Sequence, residues 1–434
     1  MINELPPAFL HRIKKQLGNE TEDFIQALNQ PAIHGIRFNP LKPCTENGRW
    51  MTGDRIPWDK NGWYLSANET PGTTIWHEAG AFYLQDPAAM LPAEILNPRP
   101  GEKILDLCSA PGGKATQIGC AMQGNGLLVC NEIVPKRAMI LSRNIERLGI
   151  TNAVVTSARP EILASRWKGV FDAVLADVPC SGEGMFRREP GTRNEWSPEK
   201  ASGCVSRQRE ILSAAAELVR PGGRLVYSTC TFNPDENENM IRWFLNGHSE
   251  WEAESFRLPG ADGENGVFTC YPHRTKGEGQ FAALLRKKGN SECRFISDSS
   301  LPKAGPGDTG RFADSFPGLP HATHVLGRTL IHMEILPDIK GIPVYRIGLH
   351  LGEIHDHYYI PDHASAYIAA SSIQQSIVDP EHAVRYLAGE TLAGDESGWT
   401  VVTCRGMPLG WGKGTGGIIK NHYPKGLRNS LLLP

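Results

Sequence analysis

Two cysteines stand where the chain leaves an apolar, strand-like run. VLADVPCSGEGMF puts Asp177, Pro179 and Cys180 just past one run, and GRLVYSTC puts Thr229 and Cys230 just past another. The thiolate is the reactive form of cysteine, and a nearby cation such as Lys114, or a helix N-terminus, lowers its pKa. Covalent attack by such a group splits one hard step into easier ones. Substitution at carbon 5 of a cytosine needs that help, because carbon 5 is a poor nucleophile. Thiolate addition at carbon 6 makes the ring enamine-like, and carbon 5 can then attack a sulfonium methyl. A base removes the carbon-5 proton and the thiolate leaves. Asp177 is suited to hydrogen-bond N3 and the exocyclic amine. The base must leave any stack to be reached.

A second set of residues suits a nucleoside cofactor. The run KILDL passes directly into CSAPGGK. Gly112 and Gly113 permit a tight turn and close backbone approach, and the helix that follows offers free N–H groups and a positive dipole end. Asp106 ends this strand. Glu132 ends the next, where a carboxylate can accept from ribose hydroxyls. GxGxxG spacing is absent, so an adenosine cofactor other than a dinucleotide is expected. Ligands of open α/β sheets sit at the carboxyl ends of strands. The glycine loop, Glu132, Asp177, Cys180 and Cys230 should therefore meet in one crevice. For Cys108, Cys120 and Cys130 a buried apolar role is the simpler reading.

The elements that must position these groups follow from periodicity. Phe9, Ile13 and Leu17, then Phe24, Ala27 and Leu28, have helical spacing within a small mixed unit. Strands are expected at Lys103–Leu107, Leu127–Asn131, Ala153–Thr156, Ala173–Ala176 and Arg224–Ser228, and helices at Lys114–Met122, Pro135–Leu148 and Arg207–Val219. Strands alternating with helices imply a parallel sheet covered on both faces, a Rossmann-like α/β core. The expected divisions are an N-terminal α+β extension at 1–75, the catalytic domain at 76–288, a Gly/Ser/Pro/Asp-rich linker at 289–319 and a C-terminal region at 320–434.

Composition bounds the rest. The chain has 434 residues, 40% of them hydrophobic, and a net charge of only -2, so any footprint for nucleic acid must be local. None of the ten cysteines forms a CxxC pair, and no metal is expected. Neither a signal peptide nor an apolar run of the roughly 18 residues that span a bilayer is recognisable. A reduced, cytoplasmic protein is expected, with no membrane partner.

At these residues the sequence resembles the NOL1/NOP2/Sun family of RNA 5-methylcytosine methyltransferases, in its bacterial small-subunit rRNA branch. The matching stretches are YLQDPAAMLPAEIL, LDLCSAPGGKATQ, NEIVPKRAMILSRNIERLGI, ADVPCSGEGMFRR, YSTCTFNPDENE and PHRTKGEGQFAALLRKK. Near the C-terminus, PDHASAYIA, RYLAGETL and GWTVVTCRGMPLGWGKGTGGIIKNHYPKGLR resemble that branch's PUA-like RNA-binding region. The resemblance implies S-adenosylmethionine as cofactor. It would be held by Cys108, Ser109, Ala110, Pro111, Gly112, Gly113, Lys114, Glu132, Arg137 and Asp177. It also implies Cys230 as nucleophile and Cys180 as an aid to product release, with Asp177 and Lys114 in the catalytic set. The implied partner is RNA, most simply 16S rRNA, bound by a monomer. One departure stands out: the family has an acidic residue after the third strand, and here Ser157, Ala158 and Arg159 follow instead. Either the backbone meets the adenine or Glu161 substitutes.

RNA phosphates are expected to touch Arg37, Asn39, the run Phe186, Arg187, Arg188, and the tail residues Lys413, Lys420, Lys425 and Arg428, with Trp411 and Tyr423 stacking on unpaired bases. A tRNA cytosine-5 methyltransferase is the alternative within the same chemistry. A catalytically silent assembly factor would not need Asp177, Cys180 and Cys230 intact, and an enzyme acting on protein or small molecules would have no use for two loop thiols.

Overall fold

A computed structural model describes residues 4–66, 68–290, 301–356 and 358–433. Helix α1 (Pro7–Leu17) opens with proline in its first turn, where a missing N–H costs nothing, and α2 (Thr21–Leu28) follows. Their buried Phe9, Ile13, Phe24 and Leu28 pack against Phe186, Phe232 and Tyr271. The N-terminal helices thus rest on the loops that follow Cys180 and Cys230. Strand β1 (His34–Phe38) lies between β2 (Gly62–Leu65) and β3 (Phe82–Gln85), both antiparallel to it. This small sheet therefore takes a strand from beyond residue 75. Helix α3 (Ile75–Glu78) precedes β3, and α4 (Pro87–Leu96) follows it, capped by the Asp86 side chain.

The core then alternates as periodicity predicts. It comprises β4 (Lys103–Asp106), α5 (Gly113–Met122), β5 (Leu127–Asn131), α6 (Pro135–Arg147), β6 (Ala153–Thr156), α7 (Pro160–Arg166), β7 (Phe171–Asp177), α8 (Thr192–Glu195), α9 (Pro198–Leu218) and β8 (Val219–Thr229). The parallel strands run in the order β8-β7-β4-β5-β6, flanked by antiparallel strands Gln280–Lys287 on β8 and Val344–Ile347 on β6. Burial on both faces explains the unbroken apolar runs: every residue of β5 is buried. The direction of winding reverses between β4 and β7, which opens a crevice at their carboxyl ends.

Three features depart from the sequence reading. Helix α9 starts at Pro198, earlier than the expected Arg207, because Ser197 accepts from the Lys200 N–H and caps it. Its first turns lack the apolar periodicity that marks the core-facing end. The stretch expected as a linker carries a helix at Pro306–Ser315, and Phe312 and Phe316 bury themselves beside Leu330, Leu351 and Trp411. Two phenylalanines four apart make one apolar ridge, which the surrounding Gly and Asp conceal. Residues 291–300 of that stretch, with Cys293, lie outside the described residues.

Third, the C-terminal region shares cores with the rest. Strand Val344–Ile347 extends the catalytic sheet, and Ile331, Met333, Leu336 and Ile347 pack in one cluster with Leu105, Val129 and Val174. Trp76 and Phe82 share another with Tyr386, Leu387 and Leu409. Arg346 Nη1 lies 2.6 Å from Glu146 Oε2, and side-chain exposures of 5% and 20% make this a largely buried pair. Breaking a buried pair from one side leaves an uncompensated charge. Arg346→Ala should therefore cost about 3–5 kcal/mol in urea unfolding; a loss below about 1 kcal/mol would mean the seam contributes little.

Candidate active site

The turn after β4 is built for close approach. Gly112 has φ 116°, a conformation side chains rarely adopt, and it begins α5. The Ser109 hydroxyl donates to the Asp106 carbonyl at 2.7 Å, and the Ser109 N–H donates to the Asn131 carbonyl at 2.8 Å. Arg137 Nη2 donates to the Ala110 carbonyl at 2.9 Å, and Asn144 Nδ2 to the Pro111 carbonyl at 2.9 Å. These bonds hold the segment from Cys108 to Gly113 against α6 and the end of β5.

Glu132 is buried at the end of β5, 3.1 Å from Arg137 Nη1, and accepts from the Val134 N–H at 2.9 Å. Ile133 and Val134 beside it are 53% and 41% exposed, apolar surface facing the cleft. Asp106 is 1% exposed and its carboxyl is poorly partnered: the hydrogen-bond donors near enough to favour its charge are Ser109 and the Cys108 N–H. Burial first, and then the charge of Asp177, push its pKa from 3.8 up to about 7. A carboxylate at a strand end beside an exposed apolar pair suits an amino acid–nucleoside such as S-adenosylmethionine. Glu132 and the Ile133–Val134 surface line the cleft where its ribose and adenine would lie, and the Asp106 carboxyl is buried behind that lining.

The reactive groups converge as the strand-end placement requires. Leu107, Cys108, Ala110, Glu132, Arg137, Asp177, Cys180 and Cys230 line one cleft of ≈ 510 Å³. The two sulfurs of Cys180 and Cys230 lie 3.2 Å apart, and the Cys230 N–H donates to Cys180 Sγ at 3.3 Å. The hydrogen bond to Cys230, followed by burial, raises the Cys180 pKa well above its ordinary range, so Cys180 is held as a thiol. Lys114 Nζ pairs with Asp177 Oδ2 at 2.7 Å. Burial opposes the ammonium, but Asp177 outweighs it and the Lys114 pKa rises. Of the three cysteines given a buried apolar reading, Cys120 and Cys130 are buried away from this cleft, whereas Cys108 is partly exposed and lines it.

Sequence reasoning missed several contributors. Ser228 Oγ donates to Asp177 Oδ1 at 2.6 Å, and Gln280 Nε2 donates to the same oxygen at 3.3 Å. Ser228 was detectable from its place one residue before the strand end that carries the chain to Cys230. Gln280 comes from the antiparallel edge strand and carries no local signal. Arg159, Pro160 and Glu161 line the cleft rim, while Ala158 is buried.

The expected RNA contacts need correction. Arg37 is 2% exposed and donates to the Gly113 carbonyl at 2.9 Å and to Thr116 Oγ1 at 2.8 Å, so it supports the cofactor loop. Asn39 and Phe186 are buried, and Arg187 forms a buried pair with Glu278 at 2.8 Å; Arg188 alone of that run is exposed. Trp411 and Tyr423 are core residues, with Trp411 Nε1 donating to the Asp362 carbonyl at 2.9 Å. Their glycine neighbours are packing sites, so composition misled. Lys413, Lys420, Lys425 and Arg428 are exposed.

Family models match in three places. One described as 16S rRNA methyltransferase RsmB/F covers residues 93–286, the N-terminal domain of 16S rRNA methyltransferase RsmF covers 5–87, and the methyltransferase RsmF PUA domain covers 378–429. The ribosomal RNA small subunit methyltransferase F of Klebsiella pneumoniae (strain 342) is 30% identical over 471 residues, covering 97% of this chain and 96% of the relative. That of Escherichia coli (strain K12) is 29% identical over 460 residues, covering 97% and 96%. The solved methyltransferase homolog protein from Pyrococcus horikoshii is 26% identical with TM-score 0.57, covering 64% of this chain and 94% of that one. NSun6 from Pyrococcus horikoshii with SFG is 21% identical with TM-score 0.59, covering 67% and 100%, and shares the fold. Sheet order, crevice and matched core together define a methyltransferase of the Rossmann-like class, with an N-terminal domain and a C-terminal PUA domain. Within that class the chain belongs to the ribosomal RNA small subunit methyltransferase F family.

Asp106 carries a consequence for stability. Its native carboxyl keeps a proton to higher pH than the unfolded chain does, so stability falls as pH rises from about 4 to about 7. Asp106→Asn removes that cost, about 4 kcal/mol at pH 8 from the linkage relation. The variant should gain more in Tm at pH 8 than at pH 5 in calorimetry. Equal Tm changes at both pH values would contradict the buried, ionising carboxyl.

Proposed function

We propose that this methyltransferase moves a methyl group from S-adenosylmethionine to carbon 5 of a cytosine in 16S rRNA, through a covalent bond between Cys230 and carbon 6. The observation that carries this reading is the pair of sulfurs 3.2 Å apart in the cleft that Glu132 and Asp177 also line. On this reading Glu132 binds the cofactor's ribose, the Cys108–Lys114 segment and Arg137 complete its site, and Asp106 is buried behind them. When bound, S-adenosylmethionine supplies the electrophilic methyl group.

Cys230 adds through its thiolate to carbon 6, and the ring electrons move toward carbon 5. Lys114, paired with Asp177, brings positive charge to this end of the crevice. In this mechanism Asp177, oriented by Ser228 and Gln280, accepts from the exocyclic amine of the flipped base and from N3 as addition protonates it. After carbon 5 is methylated, a base takes its proton and the Cys230–carbon 6 bond breaks. On this reading the Cys180 thiol, whose sulfur lies 3.2 Å from that of Cys230, would share a proton with the departing thiolate and so favour release. Exposed Lys413, Lys420, Lys425 and Arg428 suit RNA phosphates. On this reading the 76–288 domain is catalytic, 1–75 and 320–434 hold RNA of the small subunit, and the enzyme works as a cytoplasmic monomer. Among the described residues, no helix is long and apolar enough to cross a membrane.

Cys230→Ala should abolish methyl transfer while S-adenosylmethionine binding survives; retained turnover removes it as nucleophile. Cys180→Ala should trap a protein–RNA adduct that persists on a denaturing gel, and the lack of any trapped band counts against the release role. Bisulfite sequencing of a strain lacking this protein should show 5-methylcytosine lost from 16S rRNA. Loss confined to tRNA would favour the tRNA alternative.

A further inference from the structure

The two cysteine loops exchange buried carboxylates. Glu183 lies on the Cys180 loop and accepts from the Phe232 N–H of the Cys230 loop at 3.2 Å. Glu236 lies beyond Cys230 and accepts from the Ser181 N–H of the Cys180 loop at 2.9 Å. Glu236 is fully buried, and both of its oxygens are taken up. Oε2 also accepts from Gln208 Nε2 at 2.9 Å, and Oε1 from Ser181 Oγ at 2.5 Å and Asn233 Nδ2 at 3.2 Å. Gln208 Nε2 in turn donates to the Pro179 carbonyl at 3.0 Å, one residue before Cys180. The Cys230 loop has ties of its own: the Gly184 N–H donates to the Cys230 carbonyl at 2.9 Å, and Asn237 accepts from Thr229 Oγ1 at 2.6 Å and donates to the Thr231 carbonyl at 2.9 Å.

We infer that Glu236 is a positioning residue for Cys180, setting its sulfur against Cys230 so that the methylated base can be released. It touches neither sulfur. It holds the residue after Cys180 directly and the residue before it through Gln208, whereas Cys230 keeps Gly184 and Asn237 without it. Loss of the Glu236 carboxylate therefore frees Cys180 more than Cys230. A carboxamide substitutes poorly. Its NH2 at the Oε2 place opposes the Ser181 N–H and Gln208. At the Oε1 place it opposes Asn233 Nδ2, leaving only the Ser181 hydroxyl, which also meets Thr231 Oγ1 at 2.8 Å, free to turn and accept. Misplacement on the ångström scale is enough to slow a step by orders of magnitude.

This inference rests on the release role proposed for Cys180, and the experiment separates the two. Wild type, Cys180→Ala, Glu236→Gln and the double variant are turned over with S-adenosylmethionine and unmodified 16S rRNA, and adduct is read on denaturing gels. Glu236→Gln should slow release by roughly 10- to 100-fold, the scale of an ångström misplacement, and so accumulate adduct. The double variant should be no slower than Cys180→Ala alone, because both changes act on one step. S-adenosylmethionine affinity should be unchanged. If Cys180→Ala fails to trap adduct, the release role itself falls. If Cys180→Ala traps it and Glu236→Gln releases product like wild type, or the two losses multiply, the positioning role falls. Should Glu236→Gln not fold, Ser181→Ala removes one donor, leaves the carboxylate in place and gives the same readout in milder form; wild-type release there overturns the inference.

Discussion

Everything in this molecule depends on two neighbouring strand ends being held in register. β7 and β8 run parallel, with Asp177 opposite Ser228, and each then leaves the sheet carrying a cysteine. A slip of one residue would turn every alternate side chain to the other face. The register brings Ser228 onto Asp177 and allows the two sulfurs to meet. Parallel pairing alone does not fix loops, so Glu183 and Glu236 are buried across them, with Arg12 of α1 2.6 Å from Glu183 as the compensating charge. A half-satisfied buried carboxylate would be costly, and these two are well partnered.

Asp106 shows the opposite arrangement. It is buried at the cofactor end of the crevice with few partners, where it weakens the fold as it ionises. Glu236 is saturated with donors, whereas Asp106 has few, so the two buried carboxyls differ in what their burial costs.

The outer regions are less separable than the composition suggests. α1 and α2 press on the cysteine loops, Arg37 braces the cofactor loop, and a C-terminal strand closes the edge of the catalytic sheet. The Arg346–Glu146 pair adds a largely buried ionic tie across the same seam.

The sequence by itself determined the parallel α/β core, because apolar runs of strand length, bounded by turns and amphipathic helices, have few other solutions. Strand-end placement in such a sheet also implied that Cys230, Cys180, Asp177 and Glu132 share a crevice, which they line together with Cys108 and Ala110, while Gly112 and Gly113 pack against α6 and β3 instead. The tertiary structure alone decided which polar residues face solvent. Arg37, Asn39, Arg187, Trp411 and Tyr423 look like RNA contacts in one dimension and are buried partners in three. It alone revealed the helix at Pro306–Ser315 behind a linker-like composition, and the strand Val344–Ile347 that crosses a presumed domain boundary. Local spacing records which face of an element is apolar; what that face and its charges meet is set by chain segments hundreds of residues away.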